Sequence, residues 1–419
     1  MPRLPTELLV RAHRQDPLLP LLLRECRDLP SARNELRWLR NHAVSEASGV
    51  KFRQRRQHIN NSQMPGWRTR LRSMCQARAK GKPLQYILGD QPFGDLEILC
   101  REGVLIPRSE TETYTLRAAR LILKHFRRES DSQSIVTLPK GPLRIIDLCT
   151  GTGCIPLLLH QLLSPHVPQL EIVGVDISNK ALSLAKRNLE HNVKLGLLSK
   201  RSRSEVRFLK SNVLERNTHP NGLENILQIT GDSCNLHDAK DTGSKPTTKG
   251  GSWDVLISNP PYISPTQFGN GTTARSVRVY EPKLALVPPP ATNERSHTEE
   301  AMTGVPMAND VNSRTGFHAP ADTFYPRLIA LSSLLNAKLT IFECGDPPQA
   351  LRVAELAATY RPASGKSDSV TDSKVEVWRC DDDMGHGDDG EYNSPSGSEY
   401  TQHDGGARAV VIKRRSSWF

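Results

Sequence analysis

From residue 143 the chain keeps changing period, and this constrains its fold more than any other feature. Short apolar runs alternate with stretches whose apolar residues recur at helical spacing. Leu143 to Leu148 (LRIIDL) is followed by the helical IPLLLHQLL, and Glu171 to Asp176 (EIVGVD) by ISNKALSLAKRNLEHN. Further apolar runs are Val206–Lys210, Trp253–Ser258 (WDVLIS) and Ala337–Cys344 (AKLTIFEC), the last with a helix near Gln349 to Tyr360. Val375–Arg379 and Ala409–Lys413 complete the set of predicted strands. Strands that alternate with helices form a mostly parallel, doubly wound sheet, and ligands bind at the carboxyl ends of its strands. Polar segments rich in Ser, Gly, Asp, Thr and Pro interrupt the pattern near 216–252, 289–320, 362–373 and 381–407. They read as surface insertions, because such compositions bury too little apolar area to order themselves.

The first 80 residues differ. Apolar positions recur at helical spacing through Leu8, Leu9, Leu18, Leu21 and Leu22, and again at Leu36, Trp38 and Leu39. Ser31 is a candidate cap for a helix through Glu35 to His42. A polar segment, Lys51–Asn61, precedes a second helical stretch from Trp67 to Ala79. The chain carries a net charge of +11, and residues 1–80 alone hold 17 Lys and Arg against 6 Asp and Glu. The basic excess therefore belongs to this region, which suits an anionic partner such as RNA, a ribonucleoprotein or an acidic protein; an arginine bias from a targeting signal is the other explanation. Between the two regions, Lys82 to Gly94 (KPLQYILGDQPFG) and the β-like runs LEIL and GVLIP read as a connecting hairpin. The expected division is a basic helical substrate-recognition domain over 1–80, a hairpin linker over 81–112 and a catalytic domain over 113–419.

Several classes are excluded. The longest apolar run, Pro17–Leu23, is far short of the ~20 residues that cross a bilayer, and no secretory signal is evident. The eight cysteines stand apart at 26, 75, 100, 149, 154, 234, 344 and 380 without a C-x-x-C pair, so neither a metal site nor a disulfide framework is expected.

Two constellations carry chemistry. In the first, Asp147 and Cys149-Thr150-Gly151-Thr152-Gly153 end one strand and open a helix, and Asp176 ends the next strand. A glycine turn lets the backbone approach a ligand, and a carboxylate on the neighbouring strand can hold both hydroxyls of a ribose. The pattern lacks the third glycine of a pyrophosphate fingerprint and has no P-loop lysine, so a nucleoside fits better than a dinucleotide. A tight turn with an exposed aspartate is the plainer alternative. In the second, Ser258-Asn259-Pro260-Pro261-Tyr262 follows directly on a strand. Two prolines fix the backbone and remove two donors. A carbonyl and the Asn259 side-chain oxygen are left as rigid acceptors, suited to holding a planar NH₂ group, with the flat face of Tyr262 beside it.

With these residues in place the chain resembles the class I S-adenosylmethionine-dependent methyltransferases that act on planar nitrogens. More narrowly, it is similar to the release factor glutamine N5-methyltransferases (the HemK/PrmC family). The resemblance rests on Pro83–Gly89 (PLQYILG), Gly103–Pro107 with Arg108, Ser109, Glu110, Thr111 and Glu112, Tyr280-Glu281-Pro282, Leu284–Leu286, and Phe342-Glu343-Cys344-Gly345 with Gln349. It implies a Rossmann-like, mostly parallel seven-stranded sheet, a small all-helical N-terminal domain and a β-hairpin connector. S-adenosyl-L-methionine is the implied cofactor, bound by Asp147, Cys149, Thr150, Gly151, Thr152, Gly153, Asp176, Asn212, Val213 and Asn259. Asn259, Pro260 and Tyr262 are the implied catalytic residues. These three, with Pro261, Arg108 and Glu110, would bind the substrate.

Glu281 could form a structural ion pair or touch the substrate. The implied reaction is methylation of the Gly-Gly-Gln glutamine of a class I peptide chain release factor, and ribosome association is left open. Departures from the family pattern are Cys149 in place of glycine, Ser109 in place of proline, and Asn212 where an acid commonly meets adenine. Neither membrane association nor direct DNA binding is expected. Adenine N6 methylation of DNA, guanine methylation of ribosomal RNA, and a non-catalytic cofactor-binding role are the competing readings. The resemblance, whose branch with an N-terminal helical domain is bacterial and mitochondrial, implies mitochondria, with the cytoplasm as alternative; the early arginines suit a targeting signal, whereas Asp16, Glu25 and Asp28 do not.

Overall fold

The computed structural model describes residues 3–48, 66–131, 141–215, 223, 253–290, 319–361, 373–379 and 407–414. Nearly all of the four polar insertions, and the Lys51–Asn61 segment, lie outside the described residues.

Seven strands form one sheet, β3 (Leu143–Leu148), β4 (Leu170–Asp176), β5 (Val206–Lys210), β6 (Val255–Ser258), β7 (Leu339–Glu343), β8 (Ser373–Arg379) and β9 (Ala407–Arg414), in the order β5-β4-β3-β6-β7-β9-β8. Only β9 runs against its neighbours. The order reverses beside β3, creating the crevice in which such sheets bind ligands. Alternation along each strand explains the two cores. Ile145, Ile172, Val255 and Ile341 face one side, packing with α6 (Ser109–Asp131), α7 (Cys154–Leu163) and α8 (Asn179–Leu195). Ile146, Val173, Leu256 and Phe342 face the other, against the helices Tyr325–Leu334 and Pro347–Thr359.

The N-terminal helices α1 (Thr6–Gln15), α2 (Leu19–Cys26), α3 (Leu29–Ala47) and α4 (Trp67–Ala79) enclose a separate core of Leu19, Leu22, Leu23, Leu36, Leu39 and Leu71. Arg78 grips Glu35 through two hydrogen bonds of 2.8 Å, locking α4 to α3. The cap of α3 is Asp28, not Ser31. Its carboxylate accepts from the Ser31 N–H, so the helix starts at Leu29 with Pro30 in its first turn. Trp38, counted above with the apolar face, is 37% exposed.

The connector is a short helix α5 (Leu84–Leu88) followed by the hairpin β1 (Asp90–Phe93) and β2 (Leu96–Leu99). GVLIP is not a strand. Its chain is irregular, with Val104 and Ile106 buried and Tyr86 donating a 2.7 Å hydrogen bond to the Val104 carbonyl. The boundary expected after residue 112 falls inside α6, whose first turn carries Glu110 and Glu112. Among the described residues, no helix is long and apolar enough to cross a membrane.

Candidate active site

Strand register gathers the singled-out residues along one edge. Leu148 lies opposite Val175 on β4 and Ser258 on β6, and Ser258 lies opposite Phe342 on β7. The residues that follow these positions are therefore Cys149, Asp176, Asn259 and Glu343, in neighbouring places at the carboxyl ends of four strands.

The β3 turn is shaped by backbone. Cys149, Gly151 and Gly153 all have positive φ, at 68°, 56° and 77°. The glycine usual at the Cys149 position in the similar family thus has a conformational reason, because side chains strain a left-handed backbone. A Cβ on Gly153 would lie 3.0 Å from both Ala185 and Phe208, and one on Gly174 would lie 2.7 Å from the Thr150 hydroxyl. The Asp176 carboxylate accepts from the Gly151 N–H at 2.9 Å and from the Ser178 N–H at 2.8 Å. It orients the turn while keeping further lone pairs for a diol. Burial pushes its carboxyl upward, against those backbone hydrogen bonds. Asp147 is wholly buried beneath the turn, and burial lifts its carboxyl to about 8. Burial outweighs the Thr150 hydroxyl, which bonds toward this carboxyl and lowers it.

At the β5 end, Asn212 also serves its own turn. The Asn212 side-chain oxygen accepts from the Leu214 N–H at 3.1 Å in a local turn, so an adenine amine would have to share it. Val213 is buried in the second core.

On β6, the Ser258 hydroxyl donates to the Leu148 carbonyl, tying the two strand ends together at 2.7 Å. Beyond it, the Asn259 amide nitrogen donates to the Thr111 hydroxyl at 3.1 Å. Thr111 donates to Glu343 Oε2 at 2.7 Å, and the Tyr262 hydroxyl donates to Glu343 Oε1 at 3.2 Å. Sequence reading assigned no role to Thr111 or Glu343. The available signal was a carboxylate closing an otherwise apolar strand, LTIFE, whose five residues are all buried. Gln349 supports Tyr262 from behind. It accepts from the Gly345 N–H at 2.7 Å and donates to the Tyr262 carbonyl at 3.4 Å. Gly345 itself has room for no side chain, since a Cβ would meet the Tyr262 ring at 2.8 Å.

Of the two readings for Glu281, the structure gives the ion pair. It accepts from Arg108 at 2.7 Å and from the Ile106 N–H at 3.1 Å, and its carboxylate is almost fully buried. Burial lowers the Arg108 guanidinium, but the charge and hydrogen bond of Glu281 outweigh burial and raise it above its ordinary value. Glu110 is bonded at 3.0 Å by the Ser109 hydroxyl, the residue standing where the similar family has proline.

No family model matches the chain. Curated relatives do. The chain is 34% identical over 293 residues to the probable MRF1 mitochondrial N(5)-glutamine methyltransferase mtq1 of Schizosaccharomyces pombe, covering 70% of this chain and 75% of that protein. The chain belongs to the release factor N5-glutamine methyltransferase family. It is 31% identical over 287 residues to the mitochondrial MRF1 N(5)-glutamine methyltransferase MTQ1 of Saccharomyces cerevisiae, covering 68% of each. A release factor glutamine methyltransferase of Chlorobaculum tepidum is 31% identical over 219 residues, 52% of this chain and 57% of that protein. The protein is thus a methyltransferase whose donor is S-adenosylmethionine.

The residues fit that donor. A turn held open by two left-handed glycines admits close approach. The Asp176 carboxylate, on the next strand, holds the turn and keeps lone pairs for the hydroxyls of a ribose.

Proposed function

We propose that this protein methylates the glutamine side-chain amide of the Gly-Gly-Gln motif in a mitochondrial class I release factor. The observation that carries the reading is the Asn259 amide. Its nitrogen is engaged by Thr111, and among the described residues its oxygen accepts no hydrogen bond. That oxygen, the Pro260 carbonyl and the Tyr262 ring form an acceptor frame at the same sheet edge as the glycine turn.

S-adenosylmethionine, when bound, supplies a methyl group already activated by its sulfonium centre. The protein's task is orientation. An amide nitrogen is a weak nucleophile because its lone pair is delocalised into the carbonyl, so positioning and charge stabilisation dominate. Asn259 Oδ1 and the Pro260 carbonyl accept hydrogen bonds from the NH₂ group and turn its lone pair toward the donor, and one of its two protons leaves to solvent as the nitrogen gains the methyl group. Positive charge growing on the nitrogen meets carbonyl dipoles that need no reorganisation. The prolines at 260 and 261 keep those dipoles fixed. Asp176 is assigned to the ribose of the donor, and Asp147, Cys149, Thr150, Gly151, Thr152 and Gly153 to its methionine part. Asn212 and Val213 border its adenine, while Arg108, Glu110 and Pro261 shape the substrate entrance.

The division into three parts supports recognition by the N-terminal helices. Arg275 donates to the Lys80 carbonyl at 3.0 Å, and Lys82 meets Glu102 at 2.7 Å, so the basic helices are tied to elements flanking the site. The names of the two yeast relatives support mitochondrial residence.

The test is transfer of labelled methyl to a recombinant mitochondrial release factor and to the same factor with the Gly-Gly-Gln glutamine replaced. DNA and ribosomal RNA are offered in parallel. Label that depends on that glutamine is the expected result, and label on nucleic acid would overturn the substrate assignment.

A further inference from the structure

The side-chain amide of an asparagine is nearly symmetric in shape, yet only one end can accept. For Asn259 to hold an NH₂ group, its oxygen must face the substrate, and some neighbour has to exclude the flipped orientation. The surrounding protons decide which one does.

Thr111 and Glu343 are both buried, at 2% exposure each. A threonine hydroxyl has a single proton, and an ionised carboxylate has none to give. With Thr111 Oγ1 2.7 Å from Glu343 Oε2, the hydroxyl proton is committed to the carboxylate. Thr111 can therefore meet Asn259 only as an acceptor, and the 3.1 Å contact requires the amide nitrogen. Tyr262, donating to the other carboxylate oxygen at 3.2 Å, ties the second part of the acceptor frame to the same anchor.

We propose that Thr111 and Glu343 are positioning residues, which fix the polarity of the Asn259 amide so that its oxygen is presented to the substrate. This deepens the reading above and rests on Asn259 as the acceptor of the substrate amide. Neither residue touches the reacting atoms. The effect passes along two hydrogen bonds that join α6, the end of β6 and the end of β7.

The arrangement depends on the charge of Glu343. A protonated Glu343 can donate to Thr111, whose own proton is then free to turn toward Asn259. The amide can flip, presenting hydrogens to a substrate that also presents hydrogens. The groups facing Glu343 are Glu110, Thr111 and Tyr114 of α6, Tyr262 beyond β6, Cys154 at the start of α7, and its neighbour Cys344. Burial raises this carboxyl to about 7, opposed by the hydroxyls that donate to it. Turnover requires the ionised form, so kcat rises as pH increases through about 7.

The experiment compares wild type, Thr111→Val and Thr111→Ser, measuring kcat and KM with the release factor, cofactor affinity by calorimetry, and kcat from pH 5.5 to 9. Thr111→Val keeps the shape and removes the relay. It is expected to lower kcat on the order of 10-fold to 100-fold, to bind cofactor as wild type does, and to lose the acid limb of the pH profile. Thr111→Ser keeps the hydroxyl and restores both the rate and the limb. Wild-type turnover in Thr111→Val, a parallel loss of cofactor affinity, or failure of serine to rescue would each overturn the proposal. A neutron structure of the wild-type protein supplies a readout that needs no substrate. The amide nitrogen of Asn259 facing Thr111 supports the assignment, and its oxygen there refutes it. If wild type transfers no methyl to a release factor, the proposed function fails, and the neutron result alone judges the positioning role.

Discussion

The two halves of the candidate site are built by different means. The donor half is a single run of backbone, 147–153, whose shape comes from left-handed φ values and from a carboxylate that accepts two backbone N–H groups. The acceptor half is a chain of side chains drawn from residues 111, 259, 262 and 343, joined by hydrogen bonds between distant segments. The backbone run is most sensitive to a Cβ added at Gly153, where Ala185 and Phe208 lie 3.0 Å away. A chain of side chains depends on proton direction and on the room each ring is given. The halves should therefore fail separately, and mutations can be ordered by how sharply they separate them.

The largest effect is expected at Gly153. Its positive φ and the 3.0 Å approach of Ala185 and Phe208 leave no place for a branched side chain. Gly153→Val should abolish measurable cofactor binding in calorimetry, and retained affinity would remove the turn from the donor site. Gly345→Ala comes next and touches only the acceptor half. Its Cβ must displace the Tyr262 ring, so turnover should fall on the order of 10-fold with cofactor affinity unchanged. Loss of cofactor affinity there would show that the halves are coupled.

A third prediction concerns pH. The Asp147 carboxyl is raised from 3.8 to about 8 in the folded protein. Between those values the native state holds a proton that the unfolded chain has released, so the stability of the cofactor-free protein falls as pH rises through that window. Asp147→Asn should lessen the fall of Tm with pH between 4 and 8, the remainder coming from Glu343, whose carboxyl burial raises to about 7. A mutant whose Tm keeps the wild-type pH dependence would mean that another group carries it. The smallest effect is expected at Cys149. Its φ of 68° costs a side chain strain that glycine avoids. Cys149→Gly should therefore change stability by no more than about 1 kcal/mol, because relieved strain offsets the added entropy of the unfolded chain. A larger loss in denaturant titration would show that the thiol packs more tightly than the backbone argument allows.

The same contrast explains what could be read from the sequence. The donor half was legible because its residues are consecutive and its logic is local. Strand, glycine turn, helix and the next strand's acid can be counted along the chain. Asn259 to Tyr262 were legible for the same reason. Thr111 and Glu343 stood inside recognised segments without a role, because 232 positions separate two residues whose contact only the folded sheet creates. Most strands stood within two residues of their expected ends, since short apolar runs bounded by turn residues are a local signal. GVLIP misled because two buried residues in irregular chain imitate a strand. Ser31 misled because Asp28, three positions earlier, satisfied its N–H first. At Asn212, the amide oxygen assigned to the adenine also accepts from its own turn, which sequence alone did not show.

The central claim is that donor binding and amide orientation are separable functions of one sheet edge. Asn259→Ala tests it most directly, with S-adenosylmethionine affinity measured by calorimetry beside methyl transfer to the release factor. The expected result is wild-type affinity with turnover reduced on the order of 100-fold or more. Loss of cofactor affinity together with turnover would contradict the account, because Asn259 would then belong to the donor half.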